Sequence, residues 1–309
     1  MFLRSLDLQL RDGLELEAIL ADGASIDGTR AILDNFARWR PWVRVIDNPG
    51  RVASTGLNAA IRASSGSVII RMDAHTEYAA DYVKKCMAVL YRTQAAMVGG
   101  PMRMARGSYW QNAIGLAYPA RFFSGGSRVY DAGYEGEVDS VLYGCWPRTV
   151  LEGVGLFDEA MVRNQDDELS LRISEAGGII WQSPEICCRY HPRDSPWALA
   201  RQFFGYGFWK VYTMRKHRKV VRLRHLVPAM AAASLALLVC GALATPRPRS
   251  ILLAAGSAYG AVTVLVSLTL IKRWSHCMLL PGLTAVFPAA HLAYGVGTLS
   301  GFLRLRASR

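Results

Sequence analysis

The sequence predicts an α/β fold, a doubly wound and mostly parallel sheet, with transmembrane helices appended at the carboxyl end. Three observations carry that expectation. Short apolar runs rich in β-branched residues alternate with helical patterns through the front of the chain, the signature of parallel strands joined by crossover helices. The charge is divided. Of 36 Lys and Arg, 15 fall in residues 195–309, where there is no Asp or Glu, so residues 1–194 hold 21 basic against 24 acidic side chains and the net +12 comes from the tail. That tail also contains three long uncharged stretches. A basic tail by itself suggests nucleic acid, but basic residues flanking apolar runs fit a membrane, so the reading is lipid and no nucleic acid.

In order, residues 1–13 are short and mixed, ending at Gly13. Residues 14–20 read as a strand and 22–29 (DGASIDGT) as a Gly- and Asp-rich turn. A helix follows, with Asp27 as N-cap and Ile32, Leu33 and Phe36 on one face. Residues 43–46 are the next strand, closed by Asn48, Pro49 and Gly50, and 54–63 are a helix. The stretch VIIRMDAH (68–75) is a buried strand ending in an acid, a small residue and a histidine. Ligands gather beyond the carboxyl ends of strands in open α/β sheets. In an extended segment Asp73 and His75 share a face, and a carboxylate with an imidazole suits a divalent cation that bridges to phosphate. The alternative is a strand followed by a polar turn.

Residues 82–91 read as a helix and 97–98 as a strand stopped by Gly99, Gly100 and Pro101. Residues 102–140 are weakly patterned, which inside a compact domain indicates a functional or disordered loop. Strand character resumes at 141–143. Gln165, Asp166, Asp167 and Glu168 open a helix carrying Leu169, Leu171 and Ile173. An acidic first turn suits the helix dipole, but three acids are more than capping requires. A last short strand covers 179–181, followed by Tyr190, His191, Pro192 and Arg193.

Residues 196–225 form an amphipathic and basic interface segment. Trp197, Phe203, Phe204, Tyr206, Phe208 and Trp209 precede a run from Arg215 to Arg224, a pattern for an anionic leaflet or for packing on the front domain. Residues 226–309 are the membrane domain, with two to three spans at 226–244, 250–271 and 277–303. The first is 19 residues, about 28 Å at about 1.5 Å per residue. The third contains Pro281 and Pro288, which kink it or make it re-entrant. Positive charge before the first span puts residues 1–225 in the cytoplasm. Residues 1–11 lack the apolar core of a signal peptide, and the six cysteines form no CxxC pair, which together indicate a reducing compartment.

DGASIDGT (22–29), DAH (73–75), and QDDEL (165–169) after GLFDE (155–159), in that order and spacing, resemble a family-2 glycosyltransferase of GT-A fold over residues 14–215. DAH, NQDDELSLR (164–172) and YGFWK (206–210) look closest to the succinoglycan-type exopolysaccharide glucosyltransferases. The resemblance implies a nucleotide-sugar transferase domain over 1–195. It implies inverting transfer of a hexose, glucose above others, from a UDP-sugar donor to a polyprenyl-diphosphate-linked saccharide, at the cytoplasmic face of a bacterial inner membrane holding a multi-pass protein.

Carried over by position, Asp22 bonds the uracil, with Asn48 and Arg51 near the nucleotide. Asp73 lies by the ribose or sugar, and His75 takes the place of the last acid of the usual DxD, so that Asp73 and His75 hold Mg2+ or Mn2+, with His191 a further candidate ligand. Asp166 is the general base, or Asp167 if the alignment slips by one; Gln165 stands where a Glu is usual. Gly100 and Gly144 are loop positions close to the donor.

Three departures from the family pattern matter. The usual first strand–helix unit has no counterpart, which leaves two alternatives: a start placed too far downstream, or a truncated, inactive membrane-bound copy. His replaces Asp in the metal motif. No clear QxxRW is present, the region from Gln202 to Lys210 taking its place, which favours transfer of one sugar at a time. A polyprenyl-phosphate acceptor is the remaining alternative; a carboxylate base favours a hydroxyl acceptor, because a phosphate is already ionised.

Overall fold

The structure, a computed structural model, describes residues 1–11, 13–218 and 225–304. Lys219, Arg222 and Arg224 of the expected basic run lie outside the described residues. The elements begin α1 (Phe2–Asp7), β1 (Ala18–Asp22), α2 (Thr29–Arg38), β2 (Val43–Asp47), α3 (Ala53–Ala63), β3 (Val68–Ile70) and β4 (Thr76–Tyr78). They continue with α4 (Tyr82–Thr93), β5 (Met97–Gly100), β6 (Arg103–Met104), α5 (Tyr109–Ala117), α6 (Arg121–Ser124), β7 (Gly136–Glu137) and β8 (Leu142–Pro147). After these come α7 (Arg148–Val154), α8 (Gln165–Glu175), β9 (Ile180–Gln182), β10 (Cys188–Tyr190), α9 (Pro196–Lys216), α10 (Val227–Ala244), α11 (Pro246–Leu270) and α12 (Leu280–Arg304).

The chain forms two compact units: Met1–Arg103 with Asp131–Tyr190, and Met104–Tyr130 with His191–Arg309. The expected domain end at 195 meets a division at 190–191, and residues 104–130 fold with the second unit.

The first unit is built on a five-stranded sheet of order β3-β8-β5-β9-β7. Alternate residues of its strands serve two cores. Val98, Tyr143 and Cys145 pack with Tyr82, Cys86 and Val89 of α4. Met97, Trp146 and Ile180 pack with Ile61 of α3, Leu151 of α7, and Leu169 and Ile173 of α8. This period of two buries both faces of the sheet, each such side chain contributing roughly 1.5–3 kcal/mol. The α/β class holds, with mixed pairing: β8 lies antiparallel between β3 and β5, while β5 and β9 are parallel. A parallel crossover is right-handed and compact; β8 is reached instead through residues 101–141, a route that permits the antiparallel return.

β1 and β2 form a separate parallel pair in register from Ala18↔Val43 to Asp22↔Asp47. The helix after β1 starts one residue later than expected: Gly28 is the N-cap, and Asp27 accepts from the Thr29 N–H at 3.1 Å. Its apolar face is poorly covered, with Ile32 60% exposed.

Among the described residues, β1 and β3 each end a sheet order, and both line one apolar groove of about 220 Å³ with Phe2, Leu6, Met72 and Val83. The registers fix which backbone groups face away from the partner strands. Ala18 N–H donates to Trp42 O and Asn48 N–H to Asp22 O, so Ala18, Leu20 and Asp22 bond to β2 while Ile19 and Ala21 point outward. Arg71 N–H donates to Gly144 O and Arg148 N–H to Ser67 O, so Ser67, Ile69 and Arg71 bond to β8 while Val68 and Ile70 point outward. Both strand edges therefore carry outward-pointing backbone groups.

The second unit is helical. The expected loop at 102–140 contains α5, closed by a capping box in which Ser108 accepts from Gln111 N–H and the Gln111 side chain accepts from Ser108 N–H. Ala113, Ile114 and Ala117 of α5 pack with Leu283, Val286 and Phe287 of α12. α9 is one helix of 21 residues rather than a simple amphipathic surface: Lys210 and Gln202 are buried, while Trp197 is exposed. It packs on α12 through glycines, since a Cβ on Gly207 would lie 2.1 Å from Tyr294 O and one on Gly297 2.1 Å from Phe204 O. Small residues let helix backbones approach closely.

Among the described residues, two segments are long and apolar enough to cross a membrane, Arg247–Leu270 and His276–Arg304; Val227–Leu243 is a shorter apolar helix. The third expected span is a continuous α12 with Pro288 inside it, not a re-entrant hairpin. All six cysteines are free thiols.

Backbone direction makes a testable pattern at the groove. Amides of Ile19, Val68 and Ile70 are expected to exchange hydrogen faster than those of Leu20 and Ile69, read residue by residue by deuterium exchange with fragmentation. Equal protection would show that a further strand or segment covers both edges.

Candidate active site

β3 ends at Ile70, and the next five residues are not a strand continuing toward His75. Thr76 N–H donates to Asp73 O at 3.2 Å, so Asp73 to Thr76 is a tight turn. The extended geometry expected to put Asp73 and His75 on one face is therefore replaced by a turn. His75 is exposed, with its ring edge-on to Tyr190 at 5.5 Å and Tyr143 at 6.5 Å.

The centre of the site is a residue the sequence reading passed over. Arg71 follows directly on β3, and its side chain is only 6% exposed. Its Nε and Nη2 donate to Asp73 Oδ1 and Oδ2 at 2.6 and 2.8 Å, and its Nη1 donates to Asp166 Oδ1. Burial works against the guanidinium charge, but Asp166 and Asp73 more than offset it, holding the pKa above its ordinary value. The Tyr143 ring lies 6.0 Å from the guanidinium carbon. A signal was present: an arginine directly behind three apolar strand residues is buried, and a buried guanidinium needs carboxylates.

The three acids in the first turn of α8 have three different situations. Glu168 is fully buried and pairs with Arg172, whose Nη2 also donates to Leu156 O at 2.6 Å and Nη1 to Val154 O. That pair ties α8 to the loop before it. Asp167 is exposed. Asp166 keeps 28% side-chain exposure while bonded to Arg71. Burial raises its pKa, Arg71 lowers it, and Asp73 and Asp167 raise it again, leaving it pushed up to about 6. An acid of that proton affinity both takes and gives protons near neutrality. Gln165, at the helix start, is buried.

Asp22, Asn48 and Arg51 meet at the carboxyl ends of β1 and β2. Asn48 N–H donates to Asp22 O at 2.7 Å and Arg51 N–H to Asn48 O at 3.1 Å. The Asp22 carboxylate accepts from Ser25 Oγ at 2.6 Å and Ser25 N–H at 3.2 Å, and Asn48 is clamped by Val52 O and Thr55 Oγ1. Arg51 adopts a left-handed φ of 56° and is exposed.

Gly100 and Gly144 are not loop positions: they lie in β5 and β8, both buried. A Cβ on Gly100 would meet Ile186 O at 1.9 Å, and one on Gly144 would meet Trp146 and Met97 side chains at 2.3 and 2.5 Å. Close packing of the sheet accounts for both glycines.

Among the described residues, no group of three or more His, Cys, Asp or Glu side chains is gathered for an ion. Asp73, His75 and His191 are therefore not one preformed ligand set, and His191 belongs to the second unit. The donor chemistry of Asp73 and His75 still fits a divalent ion that takes its other ligands from phosphate and water. A carboxylate oxygen has a second lone pair beside its Arg71 bond.

Comparison with known proteins sets this geometry in a family. The glycosyl transferase family 2 profile matches residues 2–144. The chain is 31% identical over 221 residues to the succinoglycan biosynthesis protein ExoA of Rhizobium meliloti (strain 1021), covering 71% of this chain and 67% of that one. It is 24% identical over 208 residues to the dolichyl N-acetyl-alpha-D-glucosaminyl phosphate 3-beta-D-2,3-diacetamido-2,3-dideoxy-beta-D-glucuronosyltransferase of Methanococcus voltae, covering 65% of this chain and 64% of that one. The fold matches a mannosyltransferase from Pyrobaculum calidifontis in complex with GDP-Man and Mn2+, with a TM-score of 0.60 at 19% identity over 96% of this chain and 82% of that one. The chain belongs to the family-2 glycosyltransferases, with a GT-A fold.

Because Glu168 is sealed with Arg172, Glu168→Ala should lower stability by about 3–5 kcal/mol through the stranded guanidinium, seen as a fall in thermal unfolding midpoint. An unchanged midpoint would show that the pair is dispensable to the fold.

Proposed function

We propose that this enzyme transfers a hexose, with inversion, from a UDP-sugar to a lipid-linked saccharide in assembly of a surface polysaccharide. The observation that carries the reading is the pairing of Asp73, at the end of β3, with Asp166, at the start of α8, on one buried guanidinium. It unites a donor-site carboxylate with a candidate base. The polysaccharide and lipid parts of the proposal draw on the names of the Rhizobium and Methanococcus relatives. The apolar helices Arg247–Leu270 and His276–Arg304 support a membrane location, and the basic residues preceding the apolar stretches support a catalytic domain on the cytoplasmic side.

In this reading Asp22, Asn48 and Arg51 receive the nucleotide at the ends of β1 and β2. Asp73 and His75 would hold a divalent cation, which when bound neutralises the diphosphate leaving group. Asp166 accepts the proton of the acceptor hydroxyl as its oxygen forms a bond to the anomeric carbon. The bond from that carbon to the diphosphate oxygen breaks, and UDP leaves with the electron pair. A single displacement inverts the anomeric configuration. A hydroxyl acceptor needs such a base, which favours a saccharide over a bare lipid phosphate.

Calorimetry with UDP, with and without Mn2+, tests the donor half; metal-dependent binding is expected, and its absence would remove the metal role of Asp73 and His75. Asp166→Ala should abolish transfer and leave UDP affinity nearly unchanged, whereas equal loss of both would make Asp166 a structural residue.

The base must be ionised, and its pKa in the free enzyme is raised to about 6, so kcat/KM should fall as pH drops through that region. A flat profile from pH 5 to 7 would exclude a base of this proton affinity.

A further inference from the structure

Beyond the roles assigned above, the cluster contains a constraint on the base itself. Among the described residues, the hydrogen bonding of the Asp166 side chain engages Oδ1 alone, through Arg71 Nη1, while the other two donating edges of the same guanidinium hold Asp73. The guanidinium is planar and rigid, and its fork is almost wholly enclosed. Asp73 is thereby a bidentate anchor, and Nη1 is aimed by that anchor at one oxygen of Asp166. The neighbouring Glu168 is engaged by a different arginine, Arg172. The charged groups acting on Asp166 are Arg71, Asp73 and Asp167.

We propose that Arg71 is a positioning residue for transfer: anchored on Asp73, it holds Asp166 Oδ1 and so assigns Oδ2 as the oxygen that receives the acceptor's proton. The inference rests on the reading of Asp166 as base. No proton leaves Arg71 in this scheme; it directs the oxygen and does not react.

A lysine keeps the charge but has one ammonium on a flexible stem, which cannot grip Asp73 at two points and Asp166 at a third. Arg71→Lys is therefore expected to lower kcat at least tenfold while UDP affinity stays within threefold. The acidic limb of kcat should move to higher pH, because Asp166 loses the donor that favours its ionised form. Wild-type kcat with an unmoved limb would overturn the inference. So would parallel losses in UDP affinity and transfer with an unmoved limb, which would make Arg71 a packing residue of the donor pocket.

Should Arg71→Lys not fold, Asp166→Glu decides in a chain that retains Arg71. Displacing the carboxylate by one methylene should lower transfer more than tenfold with UDP affinity kept, and wild-type transfer would overturn the inference. Asp166→Ala separates this from failure of the parent reading. If that variant still transfers sugar, the base reading has failed; if it is inactive while Arg71→Lys behaves as wild type, only the positioning role is lost.

Discussion

The ionic cluster of Arg71, Asp73 and Asp166 is the constraint on which the rest of the first unit depends. A guanidinium 6% exposed cannot be left without counter-charges, since an unpaired buried ion costs several kcal/mol. The end of β3 and the start of α8 must therefore meet, although 95 residues separate Arg71 from Asp166 in sequence. The elements between them serve that meeting. β8 pairs with both β3 and β5, and α8 packs Leu169 and Ile173 beneath the same sheet. Gly100 and Gly144 permit the approach of Ile186 O and of the Trp146 and Met97 side chains that a Cβ would block.

Within α8, identical chemistry is divided by position along the helix. Glu168 faces the core and is neutralised one turn later by Arg172, Asp167 faces solvent, and Asp166 falls between. Burial and the neighbouring carboxylates raise the proton affinity of Asp166 further than Arg71 lowers it. The linkage has a definite sign. A carboxyl whose folded pKa is raised from 3.8 to about 6 favours the fold most below pH 4, and that contribution is lost as pH rises through the folded pKa. The fold thus bears a cost at neutral pH for keeping this acid ionised, as expected of a group retained for chemistry.

The second unit is governed by a different rule. α9 and α12 approach through Gly207 and Gly297, at whose positions a side chain would strike backbone. Many of the large apolar side chains of α10 and α11 remain exposed, among them Leu237, Leu243, Leu253 and Leu265. Large apolar surface without a protein partner is costly in water and neutral in lipid. Composition and packing both suit this surface to contact with hydrocarbon.

Much of this was legible in the sequence because it is written in local pattern. Strand–helix alternation placed β1, β2, α3, α4 and α8 within a few residues, acid-free apolar runs located the long helices, and spaced motifs indicated the family. Where the pattern is weak the sequence says less: residues 102–140 read as loop, although Ser108 and Gln111 spell the capping box of α5. Local signals also could not show that the strand character of 68–75 stops at Ile70, because the turn from Asp73 to Thr76 is closed by a backbone bond. Nor could they show that β8 would return antiparallel. Local pattern is enough for the α/β class, the family and the acids at the head of α8. The environment of each of those acids depends on tertiary contact, because it is set by the buried Arg71 reaching across 95 residues and by the burial and charge that each carboxylate meets.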